Sequence, residues 1–319
     1  MSRSFWAILS VLLVAACVFP FIAEGYTIYV MTRVLALAIA IAGVNILTGV
    51  AGLFSIGQSA FFALGAYAIG IAGQQAGLSP YTALPFAALV GGLAGFAFGW
   101  PVARLGAVHL ALLTWGLAVS MPRLLKTDLF EPWTGGVQGI YLQRPAAPGW
   151  SGMGDDQWWW FITLAVLALV FWLLHNLIES RIGRALRATR DEPLAASSMG
   201  VQVTYYRAMA FAISGSVTAV SGALVGLLDD FAAPDTYSVF FSITLLVGAV
   251  AGGIGSLRGA VVGAFLLALL GRLSGELSAI VAFPIYGFVL IGLIFLAPQG
   301  VTPQLDRLWA YLRRRWRQN

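Results

Sequence analysis

Two histidines, His109 and His175, one cysteine, Cys17, and the acids Asp229, Asp230 and Asp235 are the first residues to ask for covalent or metal chemistry. Their spacing supports little of it. The histidines are far apart in the chain, no Cys/His metal-ligand spacing occurs, and no Walker Gly-x-x-x-x-Gly-Lys-Ser/Thr run is present. An intramembrane protease would need an embedded Ser/His pair or a His-Glu-x-x-His, and the sequence offers neither. No metal, cofactor or catalytic residue is expected, and ATP hydrolysis is not expected in this chain. The three acids fall at an expected helix end, where a solvated loop is the simpler reading than a cation site. With one cysteine, no intramolecular disulfide can form.

More informative are two glycine-dense stretches. The first holds Gly49, Gly52, Ser55, Gly57, Gln58, Ser59, Phe61, Phe62, Gly65, Ala66 and Tyr67. Glycines allow a helix to break, and unwound backbone at membrane depth survives only where it is buried in protein or lines a polar cavity. Ser55 and Gln58 beside two phenylalanines would suit such a passage. Small residues spaced by four also simply let helices pack, and both readings stand. The second stretch, with Gly248, Gly252, Gly253, Gly255, Ser256, Gly259, Gly263 and Ala264, echoes the first after roughly two hundred residues. Paired glycine-interrupted segments in two halves of a transporter point to a central path.

A third stretch, residues 179–207, carries Arg181, Arg184, Arg187, Arg190 and Arg207 together with Gly183, Asp191, Glu192, Pro193, Ala195, Ala196 and Gly200. Proline at its start and glycine at its end predict a short helix over about 194–199. Such a helix could enter a groove of a soluble partner; a basic segment resting on anionic lipid heads is the alternative.

The elements that position these stretches follow from composition. The chain has 319 residues, 60% hydrophobic and 10% charged, whereas soluble domains carry about 25% charged residues. Ten helices of ~20 residues crossing a ~30 Å hydrocarbon core would use about 200 residues and leave about 119 for loops, too few for another sizeable soluble domain. The expected fold is an all-α polytopic membrane helix bundle of about ten transmembrane helices, eight to ten, in one domain over 1–319. The composition excludes a two-domain cytosolic enzyme, and the net charge of +5 is not read as a nucleic-acid-binding face.

Charge-poor apolar windows place the spans at about 5–23, 28–50, 54–73, 81–101, 105–121, 158–178, 208–228, 240–257, 259–273 and 279–297. The segments 54–73 and 259–273 are glycine-broken and could dip into the bilayer rather than cross it. With the N-terminus inside, thirteen arginines fall on the cytoplasmic side and only Arg123, Lys126, Arg144 and Arg272 outside, with Arg33 near the outer end of the second span. That puts both termini in the cytoplasm, residues 122–157 in a periplasmic loop and a basic tail over 298–319 inside. Val14, Ala15, Ala16 and Cys17 resemble a lipoprotein cleavage box, but the apolar run continues through Ile22, so an uncleaved first helix is expected. The spans are almost free of ionisable groups, with His109 the one candidate inside them, which disfavours an ion-coupled secondary transporter and suggests that energy arrives from a partner ATPase. A structural membrane protein without cargo is the other rival.

Together these segments resemble the permease subunits of branched-chain amino acid ABC importers, of the LivM type. The match rests on Gly52, Ser55, Gly57, Gln58, Ala60, Phe61, Phe62, Gly65, Ala66 and Tyr67; on Thr134, Gly135, Gly136, Gly139 and Ile140 in the outer loop; on Gly183, Arg184, Ala185, Arg190, Asp191, Glu192, Ala195, Ala196 and Gly200; and on Gly252, Gly253, Gly255, Ser256, Gly263 and Ala264. It covers about residues 30–300. The resemblance implies a multi-pass inner-membrane subunit that pairs with a homologous permease, two cytoplasmic ATPase subunits and a periplasmic substrate-binding protein, and touches no nucleic acid. It casts Gly52, Ser55, Gly57, Gln58, Phe61, Phe62, Gly65, Tyr67, Gly252, Gly253 and Gly255 as translocation-path residues. Gly183, Arg184, Arg187, Arg190, Glu192, Ala195, Ala196 and Gly200 become the ATPase-coupling segment. Leu194 stands where importer permeases carry a glutamate, and the Ile-x-Leu-Pro tail of that pattern is missing. Urea and short-chain amide permeases share much of the pattern, so the implied cargo is leucine, isoleucine, valine or a related small molecule.

Overall fold

The computed structural model describes residues 16–275, residue 292 and residues 300–302. Nearly all of this is helical. Residues 16–22 form a helical segment that runs through Cys17. After it come α1 (Gly25–Val44), which continues into one π-helical turn (Asn45–Val50), α2 (Gln58–Ala76), α3 (Pro80–Val102) and α4 (Ala107–Leu125). The outer-loop region holds a short α5 (Glu131–Thr134) and β1 (Ile140–Tyr141). Then follow α6 (Asp155–Glu179), α7 (Arg181–Asp191), α8 (Pro193–Ser198), α9 (Val203–Asp229), β2 (Phe231–Ala232), α10 (Val239–Gly252) and α11 (Leu257–Gly275). Among the described residues five helices are long and apolar enough to cross a membrane: α1 with its π turn, α3, α4, α6 and α9; α10 and residues Leu257–Gly271 are shorter apolar helices. The expected span at 279–297, most of the tail over 298–319 and residues 5–15 of the first span lie outside the described residues.

The helix ends follow local chemistry. α6 starts at Asp155 and Asp156, whose charges suit a helix N-terminus, and the Gln157 side chain accepts a hydrogen bond of 3.0 Å from the Gly154 N–H. At α7 the Ser180 hydroxyl accepts from the Ile182 and Gly183 amides. α3 and α8 each begin with a proline in the first turn, where its missing N–H costs nothing.

α9 is the hub. Its Ala208, Phe211, Ser214, Thr218, Ser221 and Leu224 are all buried, and α1, α2 and α3 pack around it. Small residues make this possible. Gly91, Gly95 and Gly99 stand one helical turn apart on α3, and a Cβ on Gly99 would come within 2.6 Å of Phe211 Cβ. A Cβ on Gly65 of α2 would overlap the Ala219 carbonyl, and one on Gly222 the Phe62 carbonyl. α10 and α11 interlock in the same way through Gly248, Gly252, Gly259 and Gly263. α4 and α6 lie outside this core, each burying one stripe, such as Leu110, Thr114, Ala118, Met121 and Leu125 of α4.

One end of the bundle, the loop end, carries residues 126–157. Here β1 pairs antiparallel with β2, Ile140 opposite Ala232 and Tyr141 opposite Phe231, a two-residue ribbon that the all-α expectation omitted. Three successive tryptophans at the start of α6 tie elements together here: Trp159 is buried and stacks on Tyr81 at 6.1 Å, Trp158 donates to the Tyr81 hydroxyl, and Trp160 donates to the Ala16 carbonyl. The opposite, basic end carries α7 and α8.

Candidate functional site

The two glycine-dense stretches meet at the basic end. The expected helix interruptions precede α2 and α11, over residues 51–57 and 253–256, and both helices are continuous. α1 loses its regular winding at the π turn, where the Ala51 amide reaches back to the Ile46 carbonyl and the Leu53 amide to the Leu47 carbonyl. Gly49 packs directly on Gly255, so closely that a Cβ there would collide with the Gly255 backbone. The buried Asn45 side chain joins the two junctions: its amide nitrogen donates to the Ser256 carbonyl at 3.0 Å, and its oxygen accepts from the Gly255 amide at 3.3 Å. Gly253 is approached by Gly300, and the Thr302 hydroxyl donates to the Gly252 carbonyl.

Beyond the first junction, polar side chains form a buried network. Gln58, only 1% exposed, donates from Nε2 to the Ser214 hydroxyl at 3.0 Å and accepts at Oε1 from the Thr218 hydroxyl at 2.9 Å. The Ser214 hydroxyl in turn donates to the Gly43 carbonyl at 2.8 Å. The Ser59 amide donates to the Ser242 hydroxyl at 2.8 Å, and the two hydroxyls are 2.8 Å apart. Ser55 accepts from the Gly57 amide, and Thr114 of α4 accepts from the Ile56 amide. These bonds knit α1, α2, α4, α9 and α10 around the start of α2. Phe61, Phe62 and Tyr67 are buried there too; Phe62 meets Phe241 edge-on at 4.7 Å, and the Tyr67 hydroxyl donates to the Ala232 carbonyl. The structure thus gathers Ser55, Gly57, Gln58, Phe61 and Phe62 at the start of α2, where Ser242 and Phe241 of α10 meet them; Gly52 lies on Arg190 and Gly255 on Gly49 at the basic end, with Gly252 and Gly253 at the end of α10 about ten residues from Ser242, while Gly65 and Tyr67 lie further toward the loop end. Sequence reasoning missed Asn45, Thr114, Ser214, Thr218 and Ser242; isolated hydroxyls in apolar helices were the available signal.

At the basic end α7 is fastened beneath the bundle by the buried Leu186 and Thr189, and Gly183 sits against the Leu177 and Ile178 carbonyls. α8 spans Pro193–Ser198, close to the expected 194–199, and Gly200 follows it with φ +85°. Its apolar side chains point outward: Leu194 is 78% and Met199 85% exposed, whereas Ala196 is buried. Arg184 donates to the Glu179 carbonyl. Arg190 turns inward, donating from its guanidinium to the Gly49 carbonyl. Glu192 and Ala195 are exposed.

Ionisable groups are held at the ends. Asp229 accepts from the Tyr29 hydroxyl at 2.6 Å and lies 3.4 Å from Arg33, and Asp235 pairs with Lys126 at 2.6 Å, so these acids are partnered rather than simply solvated. Burial, aided by Tyr67 and Asp229, pushes the Tyr237 phenol up from its ordinary value and keeps it neutral. His109 stands in the first turn of α4 and is exposed. In the outer loop the buried Thr134 hydroxyl bonds to the Leu125 and Phe130 carbonyls, and Gly135, Gly136 and Gly139 have positive φ, with Gly139 pressed on Ala232. A cavity of about 530 Å³ opens at the loop end between α2 and residues 141–145, lined by Gly70, Gln74, Leu142, Arg144 and Leu227 among others.

Residues 26–298 match a family described as branched-chain amino acid transport system / permease component. Among similar curated proteins is the high-affinity branched-chain amino acid transport system permease protein LivM of Salmonella typhimurium, 28% identical over 92% of this chain and 74% of that protein. The LivM protein of Escherichia coli is also 28% identical, over 92% of this chain and 73% of its own length. A probable branched-chain amino acid transport permease protein LivH of Methanocaldococcus jannaschii is 25% identical over 88% of this chain and 91% of its length. No solved structure matches.

Proposed function

The chain belongs to this branched-chain amino acid transport permease family, and from that membership we propose that it is one permease subunit of an ATP-driven importer for leucine, isoleucine, valine or a related small amino acid. In this reading about ten helices cross a bacterial inner membrane with both termini in the cytoplasm, and the loop end faces the periplasm and a substrate-binding protein. A homologous permease completes the translocation path, and two cytoplasmic ATPase subunits bind and hydrolyse the ATP. The path residues are those around the two glycine junctions and the start of α2.

The observation that carries the proposal is α8. A six-residue helix bearing Leu194 and capped by Met199, both exposed at the basic end, is costly to leave in water and suits a hydrophobic groove of a soluble partner. Movement of α8 by nucleotide-dependent partners would shift the bundle between outward and inward access; the shift requires the partners to bind the two states with different affinity. Specificity can rest with the binding protein, so the membrane path needs only weak, uncharged sites.

The test is purification of the tagged chain in mild detergent from its native membrane, with and without Leu194→Asp. Two ATPase subunits and a second permease should accompany the wild type, and the ATPases should be lost from the variant. A wild-type chain that travels alone in a detergent known to preserve such importers would overturn the proposal. Uptake of leucine, isoleucine, valine and urea by cells carrying the complex would identify the cargo.

A further inference from the structure

The basic end contains a direct link between the coupling segment and the two glycine junctions, and one side chain forms it. Arg190 is the next-to-last residue of α7, three residues before α8 begins. Its guanidinium donates to the Gly49 carbonyl in the π turn that ends α1. Arginine suits that position, because the last carbonyls of a helix lack partners within it and their dipoles attract a cation. Its aliphatic stem lies on Gly52, where a Cβ would come within 2.5 Å of Arg190 Cγ. Gly52 itself has φ +69°, a conformation glycine adopts without strain. The Arg190 guanidinium also lies 3.9 Å from the exposed carboxylate of Asp191. Gly49 in turn rests on Gly255, and Asn45 of the same turn holds Gly255 and Ser256. A displacement of α8 that carries α7 with it therefore reaches the first junction through Arg190 and the second through Gly49 and Asn45.

We infer that Arg190 is a positioning residue that ties the α7–α8 segment to both glycine junctions, converting movement of the segment into movement of the path. This rests on the importer reading above. It gives Arg190 a role different from the rest of the coupling segment: its half-exposed side chain reaches back to the Gly49 carbonyl and lies on Gly52, and contact with the ATPase falls to Leu194, Met199 and the exposed face of α8. The π turn is suited to the task. A π turn has poorer hydrogen-bond geometry than the α-helix around it and recurs where function needs local adjustment.

The experiment uses the whole complex, purified and reconstituted in proteoliposomes, and reads ATP hydrolysis and leucine uptake in parallel. Arg190→Ala should keep its ATPase subunits and hydrolyse ATP, while the leucine moved per ATP falls about tenfold, within the usual range of coupling between distant sites. Arg190→Lys, which keeps a cation able to reach the Gly49 carbonyl but not the fork of donors, should recover part of the ratio. An unchanged ratio, or loss of the ATPase subunits from Arg190→Ala, would overturn the assignment, the latter by making Arg190 a docking residue. If Arg190→Ala fails to assemble with the second permease, amide hydrogen exchange in the wild-type complex decides. Trapping with a non-hydrolysable ATP analogue should alter exchange over residues 49–57 together with 181–200, and no change over 49–57 would contradict the link. A wild-type complex without ATPase subunits fails at the importer reading instead.

Discussion

Gln58 shows what a single polar residue does inside an apolar bundle. Both ends of its amide are occupied, by Ser214 and Thr218 of α9, and it is fully buried. Replacement by leucine would leave those hydroxyls without their partner in a dry site, at a cost of about 1–3 kcal/mol. Gln58→Leu is therefore expected to lower the thermal unfolding temperature of the purified protein, whereas Gln58→Glu, whose protonated carboxyl keeps one oxygen to accept from Thr218 and an O–H to donate to Ser214, should retain more stability. At the loop end, Tyr29→Phe removes a part-buried hydrogen bond to a charged acceptor, a kind worth about 1.5–3 kcal/mol, and leaves Arg33 on Asp229; because water can reach this partly exposed carboxylate, the unfolding temperature should fall less than for Gln58→Leu. The importance of Ser55 and Gln58 was legible because polar residues stand out in an apolar run. Their partners were not. A serine or threonine in a helix can satisfy its hydroxyl on a carbonyl of its own preceding turn, so nothing in the sequence ties Ser214 or Ser242 to a residue more than 150 positions away.

Between elements, close backbone approach decides most of the packing. The α3 ridge of Gly91, Gly95 and Gly99 admits no side chain against α9, and a valine at Gly95 would overlap the Phe211 carbonyl. Gly95→Val should cost at least the ~1–3 kcal/mol typical of overpacking and show as lost monodisperse protein in detergent chromatography. Gly200 differs, since a Cβ there meets nothing and only its φ of +85° restricts substitution. Proline holds φ near −65°, so Gly200→Pro should misdirect α8 and abolish transport while membrane insertion, read by protease protection, stays normal. The α8 helix was legible from Pro193 and Gly200, and the structure places its end within a residue of the expected one. The glycine-dense stretches were legible, but the structure keeps α2 and α11 continuous and sets irregular backbone before each of them, because glycine marks where a helix can stop and the neighbouring carbonyls and caps decide where it does. The ribbon of Ile140–Tyr141 with Phe231–Ala232 was not legible: two residues carry no alternation, and the pairing joins segments about ninety positions apart.

The described residues form a bundle around α9 whose interior is apolar apart from a hydrogen-bonded polar hub, and the function proposed above falls to its two ends. The charge-poor composition made the helical membrane fold plain, and the three motif-bearing stretches, taken in order, made the family recognisable. What the chain's own residues supply is a buried polar hub, two abutting glycine junctions and an exposed apolar helix beneath them. None of these can store energy by itself, which is why the central claim is that ATP hydrolysed by partner subunits drives transport through this chain. The most direct measurement places the purified complex in proteoliposomes with ATP on the face that binds the ATPases and the binding protein and labelled leucine on the other. The account requires uptake that depends on hydrolysable ATP, persists when an ionophore abolishes every ion gradient, and disappears with Leu194→Asp. Uptake that continues without ATP and collapses with the ionophore would contradict it.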